Sequence, residues 1–180
     1  MNTRMIIGAT VGGLLVFIWQ FLSWAMLNIH VSEQKYTANQ NAILQNLGTQ
    51  LTEDGTYFLP TFPPGTSSEE QQKLMEAAGG KPWAQISYHK AMNTNMGINM
   101  LRGFMADIVA VFLLIWLLSK IPELTMGTSV IASVAVGLVG YLTTEYSNSI
   151  WFEANSIPHL IDAIVGWALC GTWLGYWLNR

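Results

Sequence analysis

The chain has 180 residues, of which 51% are hydrophobic and only 11% charged, with 8 Trp, 9 Met and a formal net charge of −3. So small a charged share points to lipid as part of the solvent, and the slight acidity excludes the basic face that nucleic acid calls for. The lone cysteine, Cys170, lies in an apolar run, which excludes an internal disulfide or a multi-thiolate metal site.

In chain order, the first apolar run, Met5 to Leu27, carries no charge and is long enough to cross a ~30 Å hydrocarbon core. Trp19, Gln20, Trp24 and Asn28 stand where a signal peptide would have a small-residue cleavage site, so a retained helix is expected. Residues 31–100 then change character. Ile43, Leu44 and Leu47 recur at helical spacing from Asn41, with Gly48 as a stop. Asp54-Gly55 marks a turn before a strand over Thr56–Leu59, and Pro60, Pro63, Pro64 and Gly65 break the chain. Ser67 and Ser68 precede Glu70 and Gln71 at capping-box spacing, which predicts a helix from Glu69 to Ala78. Gly79-Gly80 ends it, and Pro82 to Tyr88 reads as a second strand. Such a small α+β cap is marginal alone, because so short a segment buries little surface. It is expected to pack on the membrane bundle or on a partner.

Three further spans follow. The second runs from about Gly103, or a turn earlier, to Leu118 and contains Asp107; the third runs from about Thr125 to Thr144 and the fourth from Ile157 to Leu178. The fold class expected is an all-α membrane protein of four transmembrane helices with a small α+β extracytoplasmic insertion between helices 1 and 2. Its parts are helix 1 (1–30), the extracytoplasmic segment (31–100) and helices 2–4 (101–180). Arg4, Lys120 and Arg180 fall on one side, and the short loop Glu145 to Ser156 has no Lys or Arg. The positive-inside rule therefore places both termini in the cytoplasm. Lys90 and Arg102 run against it, but long loops cross largely regardless of charge.

Chemistry, if any, falls to ionisable residues at membrane depth, since phosphate loops, dinucleotide fingerprints, nucleophile elbows and zinc-helix motifs are absent from the sequence. Asp107, Asp162 and His159 lie inside spans, Glu145 ends the third, Glu153 sits in the short loop and Arg102 heads the second helix. The topology gathers Arg102, Asp107, Glu145, His159 and Asp162 in the outer half of the bilayer. A carboxylate there costs roughly 2.5–3.5 kcal/mol on insertion scales and so faces the bundle or water. Three readings compete. One is an interhelical network of Asp107 or Glu145 with Arg102 or His159 that fixes helix register. Another is a proton or ion path. The third is a metal site of His159, Asp162, Asp107 and Glu145. Paired Glu-x-x-His helices hold di-metal centres, whereas His159-x-x-Asp162 is reversed and is read as having no second copy, which weakens the metal reading. The sequence names no cofactor.

The first helix has a polar stripe of Gln20, Ser23 and Asn28 beside Trp19 and Trp24, with His30 following. The tryptophans are expected as interfacial anchors, and Gln20 and Ser23 as interhelical hydrogen bonds. Gly8-x-x-x-Gly12 and Gly171-x-x-x-Gly175 permit close helix approach, within the chain or to another protein.

Three stretches occur together: Phe17-Ile18-Trp19-Gln20-Phe21-Leu22-Ser23-Trp24, Gly55-Thr56-Tyr57-Phe58-Leu59-Pro60, and His159-Leu160-Ile161-Asp162-Ala163-Ile164-Val165-Gly166-Trp167. The arrangement resembles a widespread group of uncharacterised bacterial inner-membrane proteins. In these a Trp-rich first helix is followed by a Gly-x-Tyr-x-x-Pro outer segment and three further helices. The resemblance implies a bacterial inner-membrane protein with four spans, and it implies no activity or catalytic residue. The function expected is a non-enzymatic accessory, assembly or stabilising subunit of a larger bacterial membrane complex. Its partners would be the lipid bilayer and other membrane subunits. The alternatives are a small transporter or ion- or proton-conducting protein that uses the Asp/Glu/His cluster, and a membrane enzyme or metal-binding protein.

Overall fold

A computed structural model describes residues 3–180, which divide into two compact units. One comprises the chain up to Lys35 together with Asn95–Arg180, and the other is Tyr36–Thr94.

The first unit holds the long helices α1 (Thr3–Ala25), α4 (Met96–Leu118), α5 (Met126–Tyr141) and α7 (Ile157–Leu178). A π-helical turn, Leu142–Tyr146, and the short α6, Ser147–Phe152, continue α5, so that one helical run reaches from Met126 to Phe152. These four runs are each long and apolar enough to cross a membrane, as length and composition suit in a multi-pass protein. Local chemistry sets their ends. Asn95 and Thr125 accept hydrogen bonds from the Ile98 and Thr128 N–H groups at the starts of α4 and α5. Asn28, in the left-handed region at φ 54°, turns the chain back after α1.

Helix α1 packs against α4 and α7, and α7 against α5. Ala9, Val16, Val111, Leu114, Ile115, Leu118, Cys170 and Leu174 form the buried core. Small residues let the backbones approach. A Cβ on Gly13 would stand 2.9 Å from the Cα and N of Ile108, and one on Gly171 would stand 2.8 Å from the Cα of Val130. Both glycine pairs noted in the sequence thus serve contacts within the chain: Gly8 and Gly12 face α4 and α7, while Gly171 and Gly175 face α5. Large apolar side chains such as Ile18, Phe21, Val109, Leu113, Ile131, Val139 and Leu169 point outward. That pattern suits lipid and would be unfavourable in water.

Two boundaries differ from the sequence reading. Helix α4 starts at Met96 rather than near Gly103, because Asn95 caps it and the intervening Gly97 and Asn99 lower hydropathy without breaking the helix. The stretch Glu145 to Ser156 is not a loop, since helix persists to Phe152 and only residues 153–156 connect to α7. No Gly or Pro interrupts it, and the extra residue is absorbed by the π turn. Glu153, at φ 52°, ends the run.

In the second unit, α2 (Gln40–Gln50), β1 (Gly55–Leu59), α3 (Ser68–Ala78) and β2 (Ala84–Tyr88) follow in the order expected. Gly48 does not stop α2, which continues to Gln50 and ends at the extended Leu51. The strands pair antiparallel, with Tyr57 opposite Ile86. Ser67 caps α3 by accepting from the Glu70 N–H, and Glu69 and Glu70 occupy the first turn. None of residues 36–94 is buried, although Ile43, Leu44, Leu74, Met75 and Trp83 are available to form a core.

Candidate functional site

The polar groups of the first unit meet where α1 ends, α7 begins and the π turn lies. Asn28 reverses the chain, and the Ile29 N–H donates back to the Ser23 carbonyl at 3.3 Å. His30 is thereby folded over the end of α1, with its ring stacked on Trp24 at 3.8 Å and 6°. It is only 3% exposed.

Both of its ring nitrogens face carboxylates. Nε2 lies 2.8 Å from Asp162 Oδ2 and Nδ1 lies 3.0 Å from Glu33 Oε1. Asp162 also accepts from Trp19 Nε1 at 3.0 Å and from Ser23 Oγ at 2.6 Å. The second oxygen of Glu33 lies 3.2 Å from Nε2 of His159, which is itself 3.6 Å from Glu145 Oε2. The rings of His30 and His159 meet edge to face at 4.9 Å. Two anchors hold this corner: Tyr141 OH pairs with Ser156 Oγ at 3.0 Å, and Asn155 donates to Ser32 Oγ at 3.0 Å. The result is a continuous chain of contacts, Asp162–His30–Glu33–His159–Glu145, in which imidazoles alternate with carboxylates.

Of the residues singled out in the sequence, Glu145, His159 and Asp162 belong to this chain. His159 and Asp162 share a helix face but are joined through His30 and Glu33. Asp107 stands apart, accepting from Gln20 Nε2 at 3.2 Å, while its Oδ2 is buried without a partner among the described residues. Arg102 is exposed at the head of α4 and pairs with none of these acids. The interhelical roles expected of Gln20 and Ser23 are those observed.

His30 and Glu33 were missing from the sequence-derived cluster, and they are its hub. A signal for them existed: His30-Val31-Ser32-Glu33 is a second His-x-x-carboxylate, matching His159-x-x-Asp162. It does not stand out as a charge at membrane depth, because it follows the apolar run and lies outside every span.

Asp107→Asn is expected to stabilise the protein by about 1 kcal/mol, because a neutral amide keeps the Gln20 contact and removes a half-paired charge. Thermal unfolding in detergent checks this, with a rise of about 2–4 °C anticipated for a chain of this size.

Two cavities flank His159. A polar cleft of about 460 Å³ is lined by Glu33, Lys35, Glu145, Asn148, Glu153 and His159. An apolar groove of about 760 Å³ is lined by Trp19, Phe21, Trp24, Met100 and Trp167 and reaches His159 and Asp162. Comparison with family models, curated proteins and solved structures finds no match for the chain.

Proposed function

We propose that the chain is a non-enzymatic accessory or assembly subunit of a larger membrane complex, in which residues 36–94 engage the partner. One observation carries this: a unit with two helices and a two-stranded sheet buries none of its residues while holding Ile43, Leu44, Leu74, Met75 and Trp83 at its surface. A folded unit of this size gains stability by covering such groups. The buried His30 network supports the same reading, because it anchors the segment from which that unit departs. With the orientation read from basic residues, the unit would be extracytoplasmic.

Affinity isolation of C-terminally tagged protein from its native membrane in mild detergent tests the proposal. A stoichiometric partner is expected, and Leu44→Ser/Leu74→Ser/Met75→Ser should release it. Recovery of the chain alone, or a partner indifferent to those substitutions, would overturn it.

A second reading, a membrane enzyme or binding protein for an amphiphile, is favoured by the position of His159 between the polar cleft and the apolar groove. It predicts a retained lipid in native mass spectra that is lost in Trp167→Ala. Ion conduction has less support. Towards the far end of the bundle the core is apolar, and its buried hydroxyls are bonded to carbonyls, Ser129 to Gly171 and Ser133 to Ser129.

A further inference from the structure

We propose that His30, Glu33, His159 and Glu145 form a site for one divalent first-row transition cation, with Zn²⁺ the best match, that staples the segment after α1 to α7 and the π turn. The argument is one of donor geometry. Donor atoms of His30, Glu33 and His159 lie within 4.8 Å of one another. His30 Nδ1 lies 3.0 Å from one Glu33 oxygen, the other Glu33 oxygen lies 3.2 Å from His159 Nε2, and that nitrogen lies 3.6 Å from Glu145 Oε2. Four N and O ligands at ordinary zinc distances around one ion have edges of about 3.4 Å; the three contacts are of that size, and Glu145, which lies outside the tight group of His30, Glu33 and His159, closes in to complete the shell.

Hydrogen-bond bookkeeping points the same way. Ionised Asp162 only accepts, so His30 Nε2 carries a hydrogen and donates to it. In a neutral ring Nδ1 is then a lone pair aimed at a Glu33 oxygen 3.0 Å away. Two lone pairs at that distance repel unless a proton or a cation lies between them. Asp162 thus plays the orienting part that a carboxylate plays behind a metal-bound imidazole. Trp24, stacked on His30, fixes the plane in which Nδ1 points. Glu33 and Glu145 balance a dication when both imidazoles are neutral, and two nitrogens with two oxygens in a four-coordinate shell suit zinc. The set departs from the sequence-derived ligands: Asp107 is remote from it and Asp162 stands behind it.

The test uses full-length protein in detergent, stripped with chelator and titrated with Zn²⁺ or with Co²⁺ as a spectroscopic probe. One equivalent is expected to bind, with a tetrahedral Co²⁺ absorption spectrum and a rise in melting temperature. His30→Ala, His159→Ala and Glu33→Gln should each weaken binding at least 100-fold, and Asp162→Asn about 10–100-fold. His89→Ala, at the exposed histidine of the other unit, should bind like the parent. Glu33→Gln replaces an acid by its isostere, so it reports on ligation even where the alanine variants fail to fold. Failure of the parent protein to bind an equimolar ion would overturn the proposal. So would undiminished binding in folded Glu33→Gln and His159→Ala.

Discussion

Replacing Asp162 with Ala is expected to destabilise the protein by about 3–5 kcal/mol, the loss typical of removing one partner from a buried ionic network. The carboxylate is the shared acceptor of the Trp19 indole, the Ser23 hydroxyl and the His30 ring. Its removal strands three donors at once, each costing about 1–3 kcal/mol when left unmade. For a chain of this size that corresponds to a fall in melting temperature of about 6–20 °C. Asp162→Asn should lose less, because Oδ1 remains for Trp19 and Ser23. The double variant Asp162→Ala/His30→Ala should be only slightly worse than Asp162→Ala alone, since residues in one network do not contribute additively. Strict additivity in unfolding measurements would show that the contacts do not act as a unit.

Gly171→Val should have a comparable effect by a different route. A Cβ at this position would lie 2.7 Å from Ser133 Oγ and 2.8 Å from Val130 Cα, and the latter is backbone that cannot rotate away. Helix α5 would have to withdraw from α7, breaking the Ser129 hydrogen bond to the Gly171 carbonyl. The cost expected is about 3 kcal/mol or more, at the upper end of overpacking. Gly140→Val offers the control, because nothing lies within 4 Å of the added group, and it should stay within about 0.5 kcal/mol of the parent. Size-exclusion profiles and melting curves of the two variants side by side would decide the matter.

What could be read from the residues follows the range of the forces involved. The long helices were visible because uninterrupted apolar runs are a local property. So were the elements between 36 and 94, where Asp54-Gly55, Ser67 and Gly79-Gly80 act on their immediate neighbours. The π turn was not visible, because Leu142–Tyr146 carries no residue that demands it. In the site, Glu145, His159 and Asp162 stood out as charges in apolar surroundings, yet their pairing was hidden. It depends on the left-handed Asn28 folding His30 back over α1, a consequence of three-dimensional closure rather than of spacing. Asp107 and Arg102 drew notice by the same criterion of charge. That criterion does not say which charges converge.

The π turn carries one residue more than the α-helical turn it replaces, and a single residue advances a helix by about 100°. Deleting one residue between Leu142 and Tyr146 would leave a regular helix almost as long, equally apolar and as ready to cross the bilayer. The side chains beyond the deletion would keep their faces, because the π turn already absorbs the extra residue, and only those within Leu142–Tyr146, Glu145 among them, would be offered differently to His159. Phase and presentation in this helix are therefore separable traits: the faces on either side of the turn persist without the extra residue, while that residue sets how Glu145 is offered to its neighbours.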